Sequence, residues 1–192
     1  MDVTNYSKWK MEGGSPIYSP YEMALVLDAY ARLPLSILTS GGFDPIHPGH
    51  ISCIEEASNL KVGRYTNNRR DNAVATKLIV VVNGDEFLRQ KKGQPFMPLK
   101  ARCQVVSMLQ HVDYVVPFNP SRLGDMTVCE AIEIIQPDIF AKGGDRVATN
   151  TPEAETCERH SIEAVYGLGD SKYWSSFTLL NCWEEFILRK QN

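Results

Sequence analysis

Residues 41–50 read GGFDPIHPGH, and two of the chain's four histidines fall inside that short stretch. His47 and His50 are three residues apart, so a helical turn there sets both imidazoles on one face. An apolar run, LSILTSGGF, leads into the stretch and a helix-like run, HISCIEEASNL, leads out of it. The segment therefore reads as a strand-to-helix turn. Gly41 and Gly42 let main chain come close to a ligand. The helix start aims backbone N–H groups and the positive end of its dipole at the same spot, which makes it a ready anion site. Two imidazoles placed there can donate hydrogen bonds to the non-bridging oxygens of a phosphorus transition state. A plain turn with surface histidines is the alternative, and the glycine-rich setting favours the chemical reading.

The rest of the pattern supplies the frame that such a turn needs. PYEMALVLDAYARL carries Met23, Leu25, Val26, Ala29 and Tyr30 at helical spacing, with Ser19 as cap and Pro34 as stop. KLIVVVNGD is a continuous β-branched run, as expected of a strand buried on both faces. Then follow helix LKARCQVVSMLQ, strand DYVVPF, helix TVCEAIEIIQ, strand DIFAKGG, helix TPEAETCERH, strand IEAVYGLG and a closing helix from about Ser175. Alternation of this kind predicts an α/β fold with a doubly wound parallel sheet, Rossmann-like, in a single domain. Ligands in such sheets bind beyond the carboxyl ends of the strands.

Two segments stand outside the alternation. Residues 1–34 read as a polar, Gly/Pro-punctuated arm plus one helix, ahead of a main domain over 35–192. Residues 61–77 form a polar insertion with Arg64, Arg69 and Arg70, either a solvated loop or a lid that reaches a phosphate.

Composition narrows the classes. The chain has 192 residues and 43% hydrophobic content, enough for one full core. A net charge of -3 argues against nucleic-acid binding by bulk phosphate neutralisation. The five cysteines are scattered, lack metal spacing and fall in helical stretches, so they read as apolar core residues in a reducing compartment. No apolar run approaches the ~20 residues that span a bilayer, and the first residues lack the order of a secretory signal. Those features point to the cytoplasm, with no membrane and no nucleic acid as partner.

GGFDPIHPGH resembles the GxFDxxHxGH signature of the cytidylyltransferase-like nucleotidyltransferases. VVNGDEFLRQKKG is similar to that family's second strand and "VNSD…KG" stretch, and PLKARCQVVSMLQHVDYVVPF to the segment with its arginine. PDIFAKGGDR resembles "PDVLVKGGD" of the bacterial heptose-1-phosphate adenylyltransferases, and the glycerol-3-phosphate cytidylyltransferases are the other near group. The likeness runs from about Ser36 to Leu180. Class I aminoacyl-tRNA synthetases share HxGH, but this chain is too short for one and has no KMSKS-like loop.

The resemblance implies roles position by position. His47 and His50 match the pair that stabilises the pentacovalent phosphorus, and Lys92 matches a lysine that reaches a phosphate. Arg102 matches an arginine expected near the triphosphate or the acceptor phosphate. Gly42, Phe43, Asp44 and Gly49 match the turn beside the nucleotide, and Asn83 and Asp85 the end of the second strand. Gly143, Gly144 and Asp145 match the place where the family holds the nucleoside. WSSFTLL stands where the family has "STT", so Ser175 and Ser176 are left as phosphate ligands or plain helix caps.

The reaction so implied moves a nucleoside monophosphate from an NTP (ATP or CTP) to a phosphorylated small molecule, with release of pyrophosphate. Mg²⁺ is expected to arrive through the substrate phosphates rather than a protein cage. Adenylyl transfer to a sugar 1-phosphate is the leading form. Cytidylyl transfer to glycerol 3-phosphate or a related polyol phosphate is the next, and adenylylation of a coenzyme precursor the third. A catalytically silent nucleotide-binding module is the reading from another class, and homodimers are common among such enzymes.

Overall fold

The computed structural model describes residues 5–30, 35–60, 76–122, 124–144, 151–169 and 175–191. Their strands are β1 (Leu35–Gly41), β2 (Thr76–Asn83), β3 (Tyr114–Phe118), β4 (Ile139–Gly143) and β5 (Glu163–Leu168). All pair in parallel in the order β3-β2-β1-β4-β5. The helices are α1 (Pro20–Ala29), α2 (Pro48–Asn59), α3 (Asp85–Lys92), α4 (Leu99–Ser107), α5 (Cys129–Ile135), α6 (Pro152–Arg159) and α7 (Ser176–Gln191). The expected doubly wound α/β sheet is present. Its order reverses between β1 and β4, which opens a crevice beyond their carboxyl ends.

Strand periodicity builds two cores. Successive side chains alternate faces, so Leu78, Val80 and Val82 of β2 join Ile54 and Ala57 of α2 and Cys103 and Val106 of α4 on one face. Ile79 and Val81 join Met23 and Leu27 of α1, Ile132 of α5 and Cys157 of α6 on the other. Full burial of each valine, leucine, isoleucine or methionine among them is worth about 1.5–3 kcal/mol. No helix among the described residues is long and apolar enough to cross a membrane.

Several local expectations are met and others are corrected. Ser19 caps α1 through a reciprocal box with Glu22, at 3.2 Å and 2.7 Å. The buried stripe of α1, however, is Met23 and Leu27, while Leu25 and Tyr30 are exposed. Residues 31–34, with the stop expected at Pro34, lie outside the described residues. α3 lies where the sequence pattern names no element between strand KLIVVVNGD and helix LKARCQVVSMLQ, yet its acidic start and basic end suit a short helix.

The described part of the N-terminal arm is not loose. Tyr18 N–H donates to Val115 O and Val115 N–H to Pro16 O, both at 3.0 Å, so residues around Ile17 cover the edge of β3. An open edge strand exposes unpaired N–H and C=O groups, and this seating blunts one. Of the 61–77 insertion, Thr76 and Lys77 begin β2, and residues 61–75 lie outside the described residues. The five cysteines all sit in helices as expected, but Cys182 is exposed and Cys53 and Cys129 are only partly buried.

Candidate active site at the carboxyl end of the sheet

Phe43 turns the chain out of β1. Its φ of 52° is left-handed, a conformation that costs a bulky residue ~1–2 kcal/mol. The turn folds the Phe43 ring back over Gly41, where an added Cβ would lie 3.0 Å from the ring. Gly143 at the end of β4 serves a similar need, since a Cβ there would meet Cys53 Sγ at 2.5 Å. α2 can therefore lie close against β4, and its first turn opens on the β1–β4 crevice.

A cavity of about 590 Å³ occupies that crevice. His47 and His50 line it as a stacked pair, with ring centroids 3.7 Å apart and planes at 29°. Phe43 backs His50 at 4.9 Å between centroids. The main-chain N–H of His47 donates to Nδ1 of His50 at 3.3 Å. The acceptor nitrogen is unprotonated, so the proton of a neutral His50 resides on Nε2. Burial, with smaller contributions from His47, Lys91 and Lys92, pushes the His50 imidazole down to about 3. Burial also lowers His47. Both rings are thus neutral donors near pH 7. Nδ1 of His47 is buried without a hydrogen-bond partner among the described residues, a donor or acceptor available to a ligand.

Other residues singled out from the sequence divide into two groups. Gly42, Phe43, Gly49, Asn83, Gly143, Gly144 and Ser175 line the cavity with the histidines. Asp145 lies outside the described residues. Asp44, Asp85, Lys92, Arg102 and Ser176 stand behind the wall and hold it together.

Arg102 corrects the expectation most strongly. Its side chain is 0% exposed, and it donates to Met97 O at 2.9 Å, Gly42 O at 2.8 Å, Asn83 O at 2.6 Å and Asp85 Oδ1 at 2.6 Å. The guanidinium ties the ends of β1 and β2 to α3 and to the loop before α4. A group committed to four protein acceptors at full burial does not face a phosphate in the cavity.

Lys92 and Asp44 form a second tie. Lys92 Nζ lies 2.7 Å from Asp44 Oδ2 and also donates to Asp44 O. The Asp44 carboxylate accepts Phe96 N–H at 2.8 Å and Met97 N–H at 2.7 Å. Lys92 therefore braces the turn, and Lys91 is the lysine of α3 that lines the cavity. At the start of α7, Ser175 Oγ accepts Thr178 N–H at 3.0 Å, an N-cap, while its residue also borders the cavity. Ser176 Oγ donates to Pro45 O at 2.9 Å and does not line the cavity.

The sequence reading missed several cavity residues. Phe87 and Lys91 sit four apart on α3, a helical spacing that would have revealed them had α3 been recognised. Lys142 precedes the glycine pair at the end of β4, and Glu153 comes from the first turn of α6. No short-range pattern links those two.

The cytidylyltransferase-like family model matches residues 38–168, which include the histidine turn, both ties and all five strand ends. The chain belongs to that family. It is 32% identical over 151 residues to bifunctional protein HldE of Photorhabdus laumondii, covering 76% of this chain and 27% of that one. HldE of Haemophilus influenzae is 34% identical over 151 residues, with the same coverage of 76% and 27%. HldE of Alcanivorax borkumensis is 34% identical over 139 residues, covering 70% and 25%. The chain thus spans about a quarter of the length of these curated relatives. A lipopolysaccharide core biosynthesis protein from Thermoplasma volcanium shares the fold, with a TM-score of 0.51 and 24% identity over 71% of this chain and 98% of that one.

Proposed function

We propose that the chain transfers a nucleoside monophosphate, in the first place AMP from ATP, to a sugar 1-phosphate and releases pyrophosphate. The observation that carries this reading is the stacked, neutral His47–His50 pair at the mouth of α2, with the Nε2 proton of His50 fixed by the His47 main chain. The likeness of PDIFAKGGDR to the PDVLVKGGD of heptose-1-phosphate adenylyltransferases supports the adenylyl and sugar-phosphate choice over the cytidylyl one.

In the proposed step an acceptor phosphate oxygen attacks the α-phosphorus of the NTP in line. The bond from α-phosphorus to the bridging oxygen breaks, and its electron pair leaves with pyrophosphate. The acceptor is already an anion, so no general base is required. What the step needs is relief of negative charge at the reacting phosphorus. The imidazole N–H groups of His47 and His50, Gly49 at the start of α2 and Lys91 are the groups placed to give it. Donors held in place before the substrate arrives need no reorganisation as charge develops.

Among the described residues no three His, Cys, Asp or Glu side chains gather as a metal site. The carboxylate of Asp44 is committed to Lys92 and two backbone N–H groups. The NTP is taken to enter as its Mg²⁺ complex, since Mg²⁺ binds chiefly through substrate phosphates and few protein ligands. The cytoplasm, where NTP and sugar phosphates are found, is the proposed setting.

The test is pyrophosphate release with Mg²⁺, crossing ATP, CTP, GTP and UTP against sugar 1-phosphates, glycerol 3-phosphate and flavin mononucleotide. Release with ATP and a sugar 1-phosphate, lowered at least about a hundredfold in His50→Ala, is the expected result. Release only with CTP and glycerol 3-phosphate would replace the leading form by the polyol-phosphate one. NTP binding with no turnover anywhere would make the chain a silent module.

A further inference from the structure

The cavity has a second wall, across the sheet from the histidines. Ile37 of β1 and Val82 of β2 face α2, whereas Leu38, Val81 and Phe140 face α1, α5 and α6. Two residues beyond each of the latter, on the same face, stand Ser40, Asn83 and Lys142. Three adjacent strands thus end in a polar step where each previous step was apolar. All three residues line the cavity, and Glu153 of α6 joins them.

The bonding of this set is incomplete in a particular sense. Asn83 is 7% exposed, and its Oδ1 is buried without a hydrogen-bond partner among the described residues. Glu153 is 6% exposed, and Lys142 Nζ lies 3.8 Å from its carboxylate. That separation is well beyond the 2.7–2.9 Å of a charge-assisted hydrogen bond. Lys142 itself donates to Ser40 Oγ at 3.2 Å. A buried, unpartnered amide oxygen beside a cavity, next to a largely buried carboxylate, is costly unless something donates to it. A phosphate dianion cannot do so, because it brings no donor and is repelled by the carboxylate. A hydroxyl can, since it donates to Glu153 or Asn83 and accepts from Lys142 at once.

We propose that Asn83, Lys142 and Glu153 form a hydroxyl-binding subsite that selects a polyhydroxylated acceptor and directs its phosphate toward the histidines. The inference rests on the transfer reaction proposed above only in taking the bound hydroxyls as the acceptor's. The ribose of the NTP offers the same chemistry, and the experiment separates the two sources.

Calorimetry in the presence of a non-hydrolysable ATP analogue would compare mannose 1-phosphate with ethyl phosphate, which lacks hydroxyls. Wild type is expected to bind mannose 1-phosphate at least about tenfold more tightly. In Glu153→Gln and Asn83→Leu that preference is expected to shrink below about threefold, with affinity for the ATP analogue unchanged. Asn83→Leu keeps a foldable variant in hand, since it removes an amide oxygen that no described protein group uses. An unchanged preference in both variants would overturn the subsite. So would a loss of ATP-analogue affinity that the 2′-deoxy analogue does not share, because the hydroxyls read would then be the ribose's. Collapse of the preference in a protein that releases no pyrophosphate would keep the subsite and remove the transfer reaction. Pyrophosphate release with an unaltered preference would do the reverse.

Discussion

The His47 main-chain N–H donates to Nδ1 of His50 at 3.3 Å, and this single contact decides which face of the imidazole meets a substrate. The donor leaves Nε2 as the protonated nitrogen, and the stacking of His47 at 3.7 Å holds the ring plane. A neutral ring in this tautomer is a hydrogen-bond donor, suited to an oxygen that gains charge in the transition state.

His50→Ala should therefore lower kcat by about 10²–10³ while the Kd for NTP changes by less than about threefold. Rapid-quench turnover and calorimetry on one preparation would read both. Equal losses in kcat and in NTP affinity would mean that the ring merely binds substrate.

Acid sensitivity follows from the same burial. His50 sits at about 3 in the folded protein against an ordinary 6.5. As pH falls below about 6.5, the unfolded chain takes up a proton that the folded one refuses, so stability drops progressively down to about pH 3. Above that window His50 adds no pH dependence. Thermal melts from about pH 7.5 to about pH 5 should show a larger fall in Tm for wild type than for His50→Gln, which has nothing to titrate there. Parallel curves would count against a buried neutral imidazole.

Arg102 is expected to behave as a strut. Arg102→Ala leaves the carbonyls of Gly42, Asn83 and Met97 and the Asp85 carboxylate without their donor. Loss of one partner from such a buried network costs about 3–5 kcal/mol. Urea unfolding should show that loss, and Arg102→Lys should not restore it, because a lysine lacks the planar fork. A variant of wild-type stability with a raised KM for NTP would return Arg102 to the phosphates.

These residues mark how far the sequence could be read. The sheet, its parallel sense and the histidine turn were legible because they rest on short-range signals: β-branched runs, alternating elements and a glycine-rich strand-to-helix turn. Arg102 was misread because a motif gives a residue's place in the chain and not the direction of its guanidinium. That direction depends on carbonyls contributed by three separate segments. Lys142 and Glu153 carried no signal, since their meeting requires β4 and α6 to pack. The arm at residues 5–19 read as loose because its composition is polar, yet its main chain found partners along β3.

The two lysines of α3 give the last prediction. They are adjacent in sequence, so the helix turns them about 100° apart. Lys92 points back to Asp44 and braces the loop through Phe96 and Met97, whereas Lys91 borders the cavity beside His50. Lys91→Ala should weaken pyrophosphate binding by about five- to tenfold and leave Tm nearly unchanged, as loss of one charge-assisted contact implies. Lys92→Ala should lower Tm by several degrees, because Asp44 keeps a buried carboxylate without its cation, while the affinity of the folded fraction for pyrophosphate falls less. Calorimetry with pyrophosphate and thermal melts on both variants would decide between them. The opposite assignment would show that α3 rotates on binding and presents Lys92 instead.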